Sequence, residues 1–476
     1  MPGLFELASH CLGLPGATTG LDVRTFLFPH FAMRLESEPP EVLPPAPPPA
    51  RSSRHDDLVE RALAVIPGGT LNSAVLPEGL EFVVERAQGP HLFDADGRRI
   101  LDFVLGGGPL VLGHAHARIL EAIERAAVGG THHYVLLRRT LELAERIVRY
   151  VPSAEMVRFT GSGSEATFHA LRLARAVTGR PGILKFDGGY HGHHDLATWS
   201  FESTDGEPTL PRSESAGIQR GVADDVVVAP FNDLVAARGI LDAEPDRFAA
   251  VIVEPYQRAI PPQAGFLAAL REATDRTGAV LIFDEIVTGF RFAPGGAQER
   301  YGVIPDLTTL GKALAGGVPL SALVGRSELM EHLDPASPAN NRSFHCGTFN
   351  GNLLAVECAH TTLDVLIEEG GVARLGELTE VAGEALRREF ADAHVPVHVT
   401  SQGGIFQPFF TDRPVLTAAD VRAADRPASA RFHALLLEAG VYKIPAKGYV
   451  SLAHDDACMD DLASATRWAL ARLADL

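Results

Sequence analysis

Four short segments hold residue types that could act together on one small molecule. GSGSEA, residues 161–166, opens what reads as a helix. Small residues there let the backbone approach a ligand, the Ser162 and Ser164 hydroxyls and the Gly163 amide can donate hydrogen bonds, and a helix N-terminus favours an anion such as phosphate. Alone, such a segment is more often an ordinary helix cap. DGGYHGHHD, residues 187–195, offers Tyr190 as a face for a planar group, with His191 beside it. Its histidines and Asp195 have no second ligand cluster at a defined spacing, so no metal is expected. LIFDEIVTGFR sets Asp284 and Glu285 behind an apolar run. A carboxylate there is costly to bury unless something cationic meets it, such as a protonated ring nitrogen; the plainer alternative is a solvated pair. PDLTTLGKALAGG carries Lys312. A lone lysine would be a surface residue, but beside a phosphate cup, an aromatic face and a buried acid it supplies an amine able to form a Schiff base with an aldehyde cofactor.

Something must bring these segments together. MVRFT at 156, GILKF at 182, VVVAP at 226, AAVIVEP at 249 and AVLIFDE at 279 are short runs rich in Val, Ile and Phe, separated by helical patterns such as Ser164 to Val177 and Phe266 to Thr277. They predict an α/β fold with a mostly parallel sheet covered by helices. Ligands of such sheets sit outside the carboxyl ends of the strands, where the four segments begin. Upstream, a short helix ending at Pro67, Gly68 and Gly69 precedes a hairpin around DADG. Downstream come a helical stretch from Asn352 to Glu369, VHVTSQGGIFQPFF, a helix near Ala430 to Ala439, the strand YVSLAH and a final helix from Asp460. The expected organisation is a proline-rich extension at 1–54, the first part of a smaller α+β domain at 55–110, a large domain at 111–370, and the rest of the small domain at 371–476. In the extension, PPEVLPPAPPP at 39–49 suits polyproline II. Phe26, Phe28 and Phe31 would allow a docking arm, but the composition favours a mobile tail.

The 476 residues carry 42 Lys+Arg against 60 Asp+Glu, a net charge of −18, which argues against nucleic acid as a partner. Cys11, Cys346, Cys358 and Cys458 are too scattered for a disulfide framework or structural zinc, as expected of a reducing cytoplasm. The opening MPGLFELASH lacks the pattern of a signal peptide, and no run approaches the ~20 apolar residues of a membrane span.

From residue 58 onward the chain resembles the class III pyridoxal-phosphate aminotransferases of fold type I, and within them the glutamate-1-semialdehyde 2,1-aminomutase branch. The likeness lies in ILDF and LGHAH between 100 and 116, GSGSEATFHALRLAR, GGYHGHHD, VIVEP, LIFDEIVTGFR, PDLTTLGKALAGG, CGTFNGNLLA and VYKIPAKGYVSLAH. The resemblance implies pyridoxal 5'-phosphate on Lys312, Asp284 facing the pyridinium nitrogen, Tyr190 and His191 on the ring, and Ser162, Gly163 and Ser164 on the phosphate. It also implies Gln257 near the ring hydroxyl, and a homodimer in which Thr348 reaches the neighbouring subunit's phosphate. The implied activity is ping-pong transfer, through aldimine and ketimine, from a small-molecule amino donor to an oxo acceptor.

Three departures bear on the substrate. Leu76 stands where the aminomutase has the Arg of NSPVR, Gly107 where it has the Trp of SWGP, and Lys447 lies in a shortened segment that there carries a Glu. A missing carboxylate anchor and a missing ring imply transfer between two molecules, with a bulky acceptor such as an oxo-sugar or β-keto acid; Arg258 or Arg291 could hold a carboxylate from another direction. An isomerase using the same cofactor, aminomutase or epimerase, is the alternative, and the complete set of residues argues against a mere scaffold. The purified protein is accordingly expected to convert glutamate-1-semialdehyde to 5-aminolevulinate poorly; efficient conversion would overturn this reading.

Overall fold

Runs such as FAAVIV and VLIFDE leave neither face free for water, and all six residues of each are buried between layers of helix. The computed structural model describes residues 52–474 other than 74, 203–210, 339 and 341. The proline-rich segment, Cys11 and the three phenylalanines of the extension lie outside the described residues.

Helix α1 (Ser53–Val65) leads into an antiparallel meander of β1 (Val84–Gln88), β2 (His91–Asp94) and β3 (Arg99–Asp102), followed by α2 (Ala117–Val128) and α3 (Arg138–Tyr150). The main sheet takes up β4 (Met156–Thr160), β5 (Gly182–Phe186), β6 (Val226–Ala229), β7 (Phe248–Val253), β8 (Val280–Glu285), β9 (Leu307–Leu310) and β10 (Ser321–Gly325). Helices α4 (Gly163–Thr178), α5 (Leu234–Ala243), α6 (Phe266–Thr277) and α7 (Gly296–Tyr301) come between them. In space the strands run β4-β10-β9-β8-β7-β5-β6. β10 is antiparallel to both neighbours, and the other adjacent pairs are parallel. The expected α/β fold with a mostly parallel sheet is borne out. LTTL and SALVG, passed over as strands in the sequence, are β9 and β10. Because β10 is reversed, β4 points the same way as β9 and β8, and its carboxyl end lies on their edge.

Alternation along the strands divides the core. Val251, Val253, Leu281 and Phe283 pack on one face against Leu241 of α5 and Phe266 and Leu270 of α6. Ala250, Ile252, Val280 and Ile282 pack on the other against Ala170, Leu171 and Ala174 of α4. The same two-residue period sends Asp284 and Glu285 to opposite faces.

The remaining chain forms α8 (Leu353–Leu363), α9 (Gly371–Asp392), β11 (His398–Gln402), β12 (Ile405–Phe409), α10 (Arg426–Glu438), β13 (Val441–Tyr442), β14 (Gly448–Tyr449) and α11 (Asp456–Ala474). β13 adds to the meander parallel to β3, and β14 joins β11 and β12. YVSLAH is therefore not a strand beyond Tyr449: the Ser451 amide and hydroxyl bond His454 Nδ1 at 3.1 and 2.8 Å, which turns the chain. The last helix begins before Asp460 because Asp455 accepts the Cys458 amide at 3.0 Å, as a cap does. Among the described residues no helix is long and apolar enough to cross a membrane.

Phe103 just after β3 is fully buried, edge-on to Phe406 at 5.3 Å, in a cluster with Leu375, Leu386 and Phe432. Phe103→Ala is expected to cost about 3–5 kcal/mol, read from the midpoint of urea unfolding. A loss below about 1 kcal/mol would show that this contact does not tie the N-terminal meander to the C-terminal helices.

Candidate active site

The carboxyl ends of β4, β5, β7, β8 and β9 meet on one edge of the sheet and deliver the chemistry-bearing residues. Asp284, the second-to-last residue of β8, is only 5% exposed. Its Oδ2 is 2.8 Å from His191 Nδ1, and its Oδ1 accepts the Thr309 hydroxyl at 3.1 Å and the Ile286 amide at 3.2 Å. Thr309 is its register partner on β9. His191 is itself buried, and its Nε2 has no partner among the described residues. Glu285 is enclosed on the opposite face, accepting the Thr288 hydroxyl at 2.9 Å and the Gln298 amide at 3.0 Å, and burial raises its carboxyl.

Lys312 follows β9 with its backbone at φ +39, a strained conformation for a side-chain-bearing residue and of the kind that clusters at functional sites. Burial lowers its amine, while the Asp284 and Glu254 carboxylates pull the other way. Glu254, just after β7, accepts the Tyr190 amide at 2.8 Å and the Arg258 amide at 3.4 Å. Tyr190 keeps 37% of its surface exposed, edge-on to Phe201 at 5.3 Å, with the Arg258 guanidinium 5.9 Å from its ring centre. Gln257 is fully buried: its Nε2 donates to the Asp187 carbonyl at 2.6 Å, and its Oε1 has no partner among the described residues.

At the end of β4, Ser162 caps α4, accepting the Glu165 amide at 3.3 Å. The Ser164 hydroxyl lies 2.9 Å from His193 Nδ1. The facing turn comes so close at Gly192, φ +102, that a Cβ there would sit 2.6 Å from Ser164 Oγ. Lys185 of β5 holds that turn in shape, since its buried ammonium donates to the Gly189 carbonyl at 2.9 Å and to the Trp199 carbonyl. Burial brings Lys185 down to about 7.

The fold thus gathers Lys312, Asp284, Tyr190, His191, Gln257, Ser162, Gly163 and Ser164 on one edge. Thr348 stands apart: it is exposed in a turn between Phe344 and Phe349, themselves 61% and 65% exposed. Arg291 is completely buried, donating to the carbonyls of Val287 at 3.2 Å and Gly108. Leu76 packs in a small apolar cluster with Leu92, Ile100 and Leu437. At Gly107, φ +86, an added Cβ would meet nothing within 4 Å. Sequence reasoning missed Glu254, Thr309 and Lys185. Glu254 carries the same signal as Asp284, an acid ending an apolar strand; the other two become visible only through pairing and burial.

Residues 74–453 match the model of the class-III aminotransferase family. The chain belongs to that family. It is similar to an omega-transaminase from Sphaerobacter thermophilus, at 36% identity and a TM-score of 0.83 over 89% of this chain and 98% of that one. A transaminase solved with PLP bound matches at 31% and 0.81 over 88% and 97%. A glutamate-1-semialdehyde aminomutase from Pseudomonas aeruginosa PAO1 matches at 26% and 0.79 over 88% and 94%. The class III resemblance seen in the sequence is borne out, and the protein is an enzyme of the aminotransferase class.

In protein stripped of cofactor, the Lys312 amine is expected to react with a small aldehyde, trapped by borohydride, with a pH midpoint below the ordinary 10.5 of lysine. Because the Asp284 carboxylate favours the protonated amine, Asp284→Asn should move the midpoint lower still. A wild-type midpoint at or above 10.5, followed by peptide mapping, would refute burial as the dominant influence.

Proposed function

We propose that this aminotransferase holds pyridoxal 5'-phosphate on Lys312 and carries an amino group from a small-molecule donor to an oxo acceptor in two half-reactions of a ping-pong cycle. The observation that carries the reading is the convergence of Lys312 and Asp284 at the ends of paired strands, an amine depressed by burial beside a buried carboxylate. The surroundings fit the cofactor. Gln257 Oε1 is buried without a donor, as suits a ring hydroxyl, and the close approach of Gly192 to Ser164 leaves a backbone cradle at the positive end of α4, as suits a phosphate.

When bound, the cofactor supplies a carbonyl that takes up the amino group and a protonated ring that draws negative charge off the substrate carbon. Asp284 keeps the ring nitrogen protonated, and His191 with Thr309 fixes the direction its oxygens face. Lys312 would hold the cofactor through its amine and, when free, would be the base placed to move a proton from the substrate carbon to the cofactor's carbonyl carbon. Tyr190 covers the ring, and Ser162, Gly163 and Ser164 hold the phosphate. Thr348, exposed beside Phe344 and Phe349, completes the phosphate site of a second copy, so the working form is a homodimer. The unpaired Cys346, Cys358 and Cys458 suit a reducing cytoplasm.

Glutamate-1-semialdehyde is not the acceptor on this reading. Leu76 belongs to an apolar cluster and offers no charge, and the open space at Gly107 suits a bulkier molecule such as an oxo-sugar or β-keto acid.

The test is a spectroscopic screen, in which the yellow enzyme is mixed with amines and amino acids and a donor is recognised by bleaching of the cofactor band with release of an oxo product. Lys312→Ala should lose the band and turnover by several orders of magnitude while keeping its far-UV circular dichroism. Unchanged turnover would refute the lysine's role, and a cofactor that yields no oxo product from any donor would favour an isomerase.

A further inference from the structure

We propose that Arg291 is a positioning residue for Lys312. Sealed away from substrate and cofactor, its guanidinium fixes the chain that borders Lys312 and keeps a positive charge within reach of that amine. The inference rests on the role given to Lys312 above.

A guanidinium without access to water is costly unless its charge or its donors are met. Arg291 forms no ion pair among the described residues. It donates through Nε to the Val287 carbonyl at 3.2 Å and through Nη2 to the Gly108 carbonyl, and its Nη1 has no partner among them. Its Cζ lies 5.4 Å from the centre of the Tyr449 ring, a contact that offsets part of the cost. The joint is tight on every side. A Cβ at Gly404, in the turn between β11 and β12, would sit 2.8 Å from Nη1, and one at Gly108 would sit 2.6 Å from the Tyr449 ring. One side chain thus meets three stretches far apart in sequence: the chain after β3, the turn after β8, and the strands near the C-terminus.

What Arg291 holds is strained. Leu105, Gly106, Gly107 and Gly108 have φ of +50, +66, +86 and +103, four successive residues in the left-handed region. Asp102 anchors the start of this run by accepting the Val104 and Leu105 amides at 2.7 and 2.9 Å, and Arg291 anchors its end at the Gly108 carbonyl. The run borders the segment that carries Lys312. Leu110 comes so close to Gly317, φ +107, that a Cβ at Gly317 would lie 2.6 Å from Leu110 Cδ2. A shift of the run is therefore passed to the chain just after Lys312.

The charge acts as well as the shape. Burial lowers the Lys312 amine, the Asp284 and Glu254 carboxylates raise it, and the Arg291 and Arg258 guanidinium groups lower it again, with Lys447 as a further cation nearby. Burial brings Arg291 itself down to about 10, against the pull of the Tyr449 hydroxyl, so it stays charged at neutral pH. A fixed positive charge near an amine favours its neutral form, the form able to act as nucleophile or base. A lysine at 291 would bring the charge but not the planar fork that spans two carbonyls.

Two substitutions in the full-length protein separate charge from shape. Arg291→Gln keeps an amide donor for the Gly108 carbonyl and loses the charge; Arg291→Lys keeps the charge and loses the fork. In protein stripped of cofactor, the pH midpoint for borohydride-trapped reaction of Lys312 with a small aldehyde should rise by about one unit in Arg291→Gln and stay near wild type in Arg291→Lys. In the cofactor-loaded enzyme, the acidic limb of the half-reaction's pH profile should rise with it in Arg291→Gln, and Arg291→Lys should lower kcat/KM about tenfold at every pH. An unmoved midpoint in Arg291→Gln, with both variants losing stability and rate alike, would make Arg291 merely structural and overturn the proposal. Should neither variant keep its far-UV circular dichroism, Gly108→Ala pushes the run off the guanidinium while the charge remains; kcat/KM should then fall with the midpoint unchanged, and an unchanged kcat/KM would overturn the proposal. If no donor bleaches the cofactor while the midpoint still moves as stated, the aminotransferase reading fails and the action of Arg291 on Lys312 stands.

Discussion

A carboxylate with almost no access to water, at the end of a central strand, is tolerable only if its oxygens are engaged and a positive partner is within reach. Asp284 meets the first condition through His191, Thr309 and the Ile286 amide, and its environment supplies the second through the Lys312 amine. Much else serves that arrangement. β8 and β9 must pair in parallel so that Thr309 lies opposite Asp284, the turn after β5 must bring His191 across, and Lys312 must bear a strained backbone just past β9.

Buried cations shape the loops around this centre, and they do so mostly through carbonyl oxygens. Lys185 gathers the turn after β5, Arg291 ties the segment after β8 to the Gly108 carbonyl, and Lys443 fixes the approach to Lys447. An ammonium that must leave water recovers part of the cost by taking several oxygens at once, and so orders a stretch of chain that has no regular ladder of its own. Such loops can carry residues to a site accurately without being strands or helices.

The contrast between Asp284 and its neighbour shows how much of the site was legible. The continuous apolar run in AVLIFDE foretold a fully buried strand and its place in a parallel sheet, and the two-residue period alone sends Asp284 and Glu285 to opposite faces. Lys312, Tyr190, His191 and the GSGSEA turn were recognisable because each follows an apolar run, where a parallel sheet exposes its carboxyl ends. Arg291 looked as available as Arg258 in the sequence, yet one is sealed in the core and the other stands at a turn tip. YVSLAH alternates like a strand, but the bond between Ser451 and His454 turns it.

What the sequence by itself determined is the class of fold, most of the strands and their polar ends, because burial of an apolar run is a local property that its residue types display. Only the tertiary structure decided which cations donate to backbone carbonyls, as Lys185, Arg291 and Lys443 do. It also decided that β10 runs backwards, bringing β4 and its serines to the working edge, and that Lys447, 135 positions beyond Lys312, returns to face Glu254. Those are outcomes of packing between distant segments, where the cost of burying a charge is set by whatever the rest of the chain brings against it.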